Sequence, residues 1–393
     1  MPFQFRVYFK TLIQSFSIQA PWTLPRIGIM TFLFVIFPVL QVLNFIILML
    51  DNVFFPGYRK VQIKNPVFII GNARSGTTYI HRLMSLDKNF SSFKAWEIMF
   101  LAVSVKKFLM WVGRVDDKLG GRAARLFERF QAWLMEESDK IHKVRMDHPE
   151  EDELVLAHLF GTPFINLVIP VPALDALTHF DELPEKQRRK LMQFYKAAVQ
   201  RQLYCHGGDS VTLLSKNPLF STKVASIIEA FPDAHIVYMA RTPYETIASL
   251  HNMIDRIWNV QLQLPKDAQP RDGITNLCIY SYKYALEQID RMGQDKNIVV
   301  RYEDLVHEPR ATVEAIYARF NMPITEQFNT ALVKVTSKSK GYKSEHQYSL
   351  DQFGLSKQFV FEATQDVFHR FGFNAEGEFA EDEALAQSQA QTA

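Results

Sequence analysis

Between Pro66 and Phe373 short, almost wholly apolar runs alternate with segments whose apolar positions recur every three or four residues. The runs Val67 to Ile70, Val211 to Leu214, His235 to Met239 and Ile298 to Tyr302 are apolar at nearly every position, the pattern of strands covered on both faces. Helical periodicity follows at Thr77 to Leu86, Ser221 to Phe231, Tyr244 to Asn252 and Pro309 to Phe320, the last opened by a proline and ended before Pro323. This alternation predicts an α/β fold, a three-layer sandwich with a central parallel sheet. The stretch from about 100 to 204 reads as mostly helical and is expected to sit over the sheet as an insertion. Within it, "MFLAVSVKKFLMWVG" fits a membrane-facing or substrate-facing surface and fits a plain core helix equally well.

The N-terminal pattern differs. No charged residue occurs from Ile27 to Leu50. A helix of that length, at ~1.5 Å per residue, is long enough to cross the ~30 Å core of a bilayer. Pro38 interrupts it, and Gln41 and Asn44 are polar, so a kinked span and a re-entrant, monotopic hairpin both fit. Upstream, Phe3, Phe5, Phe9, Leu12, Ile13 and Phe16 are interleaved with Arg6 and Lys10, a mixture suited to a lipid surface. Cations flank the run on both sides, which leaves its orientation open. The expected organisation is a membrane-associated helical segment over 1–60, one large domain over 61–375 and a disordered, acidic, Ala/Gln-rich tail over 376–393.

Net charge over the 393 residues is only +2, so nothing in the overall balance calls for nucleic acid, and an anion site has to come from local cations. Cys205 and Cys278 are far apart and outside any CxxC, which excludes a disulfide framework and a thiolate metal site and favours a reducing compartment. Asp147, His148 and Asp152 fit no metal-ligand spacing, and no metal is expected. Their surroundings, "MDHPEEDELVLAH", read as a helix start with Asp147 or His148 as cap and Glu150 and Glu151 complementing the dipole.

Chemistry is concentrated in "IIGNARSGTTYIH". A strand enters a Gly-bounded turn and a helix leaves it, which aims backbone N–H groups at an anion. Gly71 and Gly76 keep the spacing of the ATP and GTP loop, but Thr77 stands where that loop has lysine, and the nearest cation is Arg74. After the strand "HIVYMA" come Arg241 and, eight residues on, Ser249, at the sheet edge where α/β domains bind ligands. They are positioned to clamp a second phosphate.

The blocks "NARSGTTYIHRLMSLD", "LLSKNP", "ARTPYETIASL" and "RYEDLVHEPRATVEAIYARFNMP" resemble, in order and separation, those of PAPS-dependent sulfotransferases, in particular a bacterial branch that shares its loop with tyrosylprotein sulfotransferases. The resemblance covers about Pro66 to Phe373. It implies a P-loop-like fold and the co-substrate 3'-phosphoadenosine 5'-phosphosulfate, held without metal by Arg74, Ser75, Gly76, Thr77 and Thr78 at its 5' side. Arg241 and Ser249 match the clamp on the 3'-phosphate, Tyr302 a tyrosine near the adenine, and Lys340 and Gly341 a late basic loop. Lys216 matches the lysine that stabilises the leaving oxygen. The histidine base of the cytosolic enzymes is missing after it, and Glu97 stands where the tyrosylprotein branch has a glutamate base. Glu150, Glu151 and Asp152 match a run near the acceptor. The expectation is a membrane-associated enzyme, its catalytic domain on the cytoplasmic side, that sulfates a hydroxyl of a lipid-like acceptor. A nucleotide-dependent kinase and a non-catalytic membrane scaffold are the alternatives.

Overall fold

The computed structural model describes residues 3–134, 145–265, 269–337 and 349–377. Five parallel strands form one sheet in the order β2-β3-β1-β4-β5: β1 Val67–Gly71, β2 Phe90–Ser91, β3 Thr212–Lys216, β4 His235–Ala240 and β5 Asn297–Arg301. Because strand side chains alternate between faces, the apolar runs feed two cores. Val67, Ile69, Leu214, Val237 and Met239 meet Ile80, Leu83, Val313 and Ile316 on one side. Phe68, Ile70, Leu213, Ile236 and Tyr238 meet Tyr195, Phe220, Ile227 and Tyr282 on the other. The expected three layers result, each fully buried Leu, Ile or Phe contributing ~1.5–3 kcal/mol.

Several boundaries move. The strand expected at Val211 to Leu214 runs instead from Thr212 to Lys216, so Lys216 ends it. β2, two residues long, carries too little pattern to be read from sequence. The helix expected to stop at Asn252 continues from Pro243 to Leu262. The insertion is helical at its ends, in α6 Val103–Lys118, α7 Arg122–Leu134 and the helix Glu185–His206. From 145 to 184 it forms short turns, because Pro163, Pro170 and Pro172 remove backbone donors and stop α-helix from propagating. The helix start read into "HPEEDE" is not a capped α-helix. Pro149 bridges to Lys94, Glu150 donates its N–H to Phe93 O at 2.9 Å, and Asp152–Leu159 winds as 3-10 turns.

The N-terminus folds as α1 Phe5–Ser15, then one continuous, largely apolar helical run of 31 residues, Leu24–Phe54. That run is α2 Leu24–Thr31, a π-turn Phe32–Ile36 and α3 Phe37–Phe54. It is long and apolar enough to cross a membrane. The π-turn precedes Pro38, whose missing N–H deprives the carbonyl four residues back of its helical donor. That carbonyl, Phe34 O, accepts instead from the Tyr8 hydroxyl at 2.8 Å. Helix α1 thus braces the π-turn. The tail expected to be disordered lies, from 378 on, outside the described residues.

Candidate active site

β1 ends in Gly71 (φ +136°), whose Cβ position is blocked by Met239 O at 2.5 Å. Its N–H donates to Ser221 Oγ at 2.9 Å. The loop then turns through Arg74, a non-glycine at φ 72°, and Gly76 at φ 91°, which caps α4 Thr77–Met84. A Cβ at Gly76 would lie 2.8 Å from the Tyr302 ring. Ser75 is buried and donates to Asn72 O at 2.7 Å, so its hydroxyl shapes the turn. Thr77 and Thr78 open α4, where the first N–H groups have no partner within the helix and carry its positive dipole end.

Four residues from three distant blocks meet over this loop. Arg74 Nε donates to Ser249 Oγ at 3.1 Å, and Arg241 Nη1 donates to the Arg74 carbonyl at 2.8 Å. The Arg241 guanidinium lies 4.2 Å from the Tyr302 ring centroid and pairs with Glu245 at 2.9 Å. Glu245 is exposed, so that pair holds little energy. Two guanidinium groups at a helix N-terminus form a strongly electropositive pocket. Lys340 and Gly341 lie outside the described residues.

The acidic run splits into separate roles. Glu151 accepts from Lys216 Nζ at 2.9 Å and faces a cavity. Asp152 turns inward and accepts from Tyr195 at 2.6 Å and Ser215 at 2.8 Å; burial pushes its pKa up to about 7 against these donors. Glu150 lies beside the Phe93 backbone. Glu153, not singled out from sequence, forms a wholly buried pair with Lys223 at 2.7 Å. His81 on α4 is buried, 3.0 Å from Ser92 Oγ, and burial reinforced by Lys216 drives its pKa down to about 3, so it stays neutral.

Glu97 is not brought to this cavity. It sits on the short helix α5 Ala95–Met99 with no solvent exposure, and it is not the solvated helix-start glutamate a surface pattern would give. Its oxygens are taken by Lys94 N–H at 2.9 Å, Gln202 Nε2 at 3.0 Å and His206 Nε2 at 2.5 Å, and the buried Lys106 bonds to Gln202. Burial alone would raise its pKa, but His206 and Lys106 outweigh it and hold the carboxyl low. Lys106 is itself lowered to about 8 by burial. This side-chain network, spread over three segments, has no local sequence signature.

Beside the loop opens a cavity of about 500 Å³. Asn72, Arg74, Thr77, Thr78 and Glu151 line its polar end. Leu250, Met253, Ile254, Trp258, Ile274 and Leu277 form one apolar wall, and the Pro-rich segment 163–179 forms the other, adding Asp175, Thr178 and His179. Sequence reading missed this cavity, although Leu250, Ile254 and Trp258 repeat every fourth residue on one helix face. Polar groups converging at one end of an apolar chamber fit an amphiphilic ligand beside an anionic one.

Comparisons with known proteins agree with this geometry. The profile described as "Sulfotransferase family" matches residues 66–326, more than half of the chain. The curated omega-hydroxy-beta-dihydromenaquinone-9 sulfotransferases Stf3 of Mycobacterium bovis and Mycobacterium tuberculosis are each 22% identical over 325 residues, 79% of this chain and 75% of the relative. Among solved structures, sulfotransferase STF1 of Mycobacterium tuberculosis H37Rv aligns with a TM-score of 0.65 at 18% identity, covering 91% of both chains. Sulfotransferase STF9 of Mycobacterium avium aligns with a TM-score of 0.66 at 16% identity, covering 96% of this chain and 99% of that one. These two carry the fold.

Proposed function

This chain belongs to the sulfotransferase family, and we propose that it transfers a sulfuryl group from 3'-phosphoadenosine 5'-phosphosulfate to a hydroxyl of a lipid-like acceptor. The observation that carries this reading is the meeting of Arg74, Ser249, Arg241 and Tyr302 over a glycine-bounded loop, next to an apolar cavity. The donor supplies the sulfuryl group and a phosphate that leaves. Its two phosphate positions suit two arginines on separate elements, and both cradle glycines sit where a side chain would collide. Ser75, Gly76, Thr77 and Thr78 would hold the 5' side, and Arg241 and Ser249 the 3'-phosphate, with Tyr302 beside the base. Lys340 and Gly341 are assigned to the 3'-phosphate by resemblance alone.

In the transfer the acceptor oxygen bonds to sulfur as the bond from sulfur to the phosphate oxygen breaks. Negative charge grows on that oxygen, where Arg74 and Lys216 stabilise it without a metal. The acceptor proton goes to a carboxylate. Glu151 is the better candidate than Glu97, since it faces the cavity beside Lys216, while Glu97 is enclosed and held at low pKa.

The acceptor reading draws on the cavity and on the Stf3 relatives, whose name gives them a hydroxylated menaquinone. The apolar walls suit an acceptor of that class. We also propose that the domain faces the cytoplasm, where the two free thiols, Cys205 and Cys278, remain reduced. The test is calorimetric titration of the detergent-purified chain with adenosine 3',5'-bisphosphate in EDTA, beside magnesium-ATP. Metal-independent binding supports the donor assignment; binding of magnesium-ATP alone would convert the site to that of a kinase.

A further inference from the structure

The run Leu24–Phe54 is fastened to the rest of the protein at both ends and in the middle. At its start Arg26, almost fully buried, donates to the carbonyls of Ser15 at 2.9 Å and Ile18 at 3.3 Å, and Met30 and Leu33 pack with Phe160, Ile165 and Leu174. Midway, His158 Nδ1 meets Gln41 Oε1 at 2.8 Å and Asn44 Nδ2 at 3.2 Å, and its Nε2 meets Ile98 O at 2.7 Å. At the end, Asp51 accepts the Ser104 N–H at 3.3 Å and Asn52 accepts the Tyr58 hydroxyl at 2.6 Å. Gln41, Asn44, Asp51 and Asn52, the last also accepting from Arg201, therefore turn toward the domain, and Arg26 turns toward the end of α1, while Phe32, Val35, Val39, Leu43, Ile46 and Leu50 are exposed on the outside.

A run of 31 residues is about 46 Å long. Were it to cross a bilayer, the domain fastened along it would have to enter the hydrocarbon with its polar groups. The geometry points to a different placement: the run lies in the plane of one leaflet as a monotopic anchor, and the face it forms with α1 and α6–α7 docks on an anionic lipid surface. Helix α6 packs beside α3 and exposes Phe108 and Trp111, and α7 exposes Leu126 and Phe127. From 103 to 134, leaving out the buried Lys106, there are six Lys and Arg against three Asp and Glu, and Arg6 and Lys10 lie among the exposed Phe5, Phe9 and Ile13 of α1. Apolar and aromatic groups mixed with cations fit anionic headgroups above acyl chains.

The cavity lies close to this face. In the segment 163–179, Ile165, Ile169 and Leu174 pack on Tyr8, Met30 and Leu33, while Phe164, Leu167 and Pro172 line the cavity. One layer of chain separates the anchor from the acceptor chamber. Entry of a leaflet-dissolved acceptor rests on the lipid-acceptor reading above; the docking does not, and holds for any acceptor.

Two experiments on the full chain test the docking. In a Cys205→Ser, Cys278→Ser background, single cysteines at Lys10, Lys60 and, on the catalytic domain, Lys334 are treated with a membrane-impermeant maleimide in sealed vesicles of known orientation. All three are expected to react from the same side; reaction of Lys10→Cys and Lys60→Cys from opposite sides overturns the proposal. With native cysteines, flotation on phosphatidylcholine vesicles with and without phosphatidylglycerol is expected to show binding that rises with the anionic lipid and falls by roughly tenfold or more in Phe108→Glu, Trp111→Glu. A detergent-free oligomer that ignores vesicles would make this face a protein interface and overturn the proposal equally. Neither readout uses sulfuryl transfer, so a failed function assignment leaves both interpretable.

Discussion

Arg241 donates to the carbonyl oxygen of Arg74 at 2.8 Å, so the second arginine of the pocket holds the backbone of the first. Arg74 adopts φ 72°, a conformation unfavourable for a residue with a side chain, and the clamp supports it. Arg241→Ala is therefore expected to weaken adenosine 3',5'-bisphosphate twice over, through a lost phosphate contact and a relaxed loop, by ~100-fold or more in calorimetry. Arg241→Lys, which keeps the charge but loses the planar fork and the contact with Tyr302, is expected to recover only part of that. Equal affinity in Arg241→Ala and wild type would remove Arg241 from the donor site.

Gly76→Ala places a methyl 2.8 Å from the Tyr302 ring at φ 91°. A loss of ~1–3 kcal/mol in thermal or urea unfolding is expected, together with loss of donor binding. Gly113 on α6 meets nothing within 4 Å, so Gly113→Ala is expected to leave stability unchanged or raise it by up to ~1 kcal/mol.

The two glutamates separate by readout. Glu151→Gln is expected to lower kcat by ~100-fold or more while the chain still folds and binds donor. Glu97→Gln removes the charge that faces buried Lys106 and His206 and is expected to cost ~3 kcal/mol or more of stability. A stable, donor-binding Glu97→Gln with no turnover, beside an active Glu151→Gln, would return the base to Glu97.

Much of this was legible in the sequence because the signals are local. Strand β1, the loop and α4 follow one another and Arg241 and Ser249 are eight residues apart, while Lys216 reaches the loop through the pairing of β3 with β1, opposite Ile69. Glu97 shows where that legibility ends. Its position after the loop resembles a base, but its environment is set by Gln202 and His206, more than a hundred residues away. The acidic run misled for a similar reason: its backbone pairs with Phe93 and Lys94 instead of capping its own helix. The inward polar face of the apolar helix also depends on a distant partner, His158.

Asp152 gives the stability a pH dependence of definite sign. Its pKa is about 7 in the folded protein against 3.8 ordinarily, so the folded state binds the extra proton between these values. Its contribution is present below about pH 4 and is lost as pH rises through 7. His81, lowered to about 3, acts the other way and loses its contribution as pH falls below 6.5. The difference between Asp152→Asn and wild type isolates the first: the variant is expected to gain in relative Tm from pH 5 to pH 8. A difference independent of pH would mean that Asp152 is ionised throughout.

Leu250→Trp narrows the apolar chamber without touching the loop. It is expected to raise KM for long-chain hydroxylated acceptors by ~10-fold or more and to leave adenosine 3',5'-bisphosphate affinity within about twofold. Unchanged KM would assign the acceptor to another surface.

The most direct measurement is transfer itself: sulfur-35-labelled 3'-phosphoadenosine 5'-phosphosulfate incubated in EDTA with the full-length protein and a total membrane lipid extract, with products separated by thin-layer chromatography. A labelled lipid that forms with wild type and is absent with Lys216→Ala and Arg74→Ala is the expected result. No labelled lipid, together with magnesium-dependent transfer of phosphate from ATP to the same extract, would contradict it.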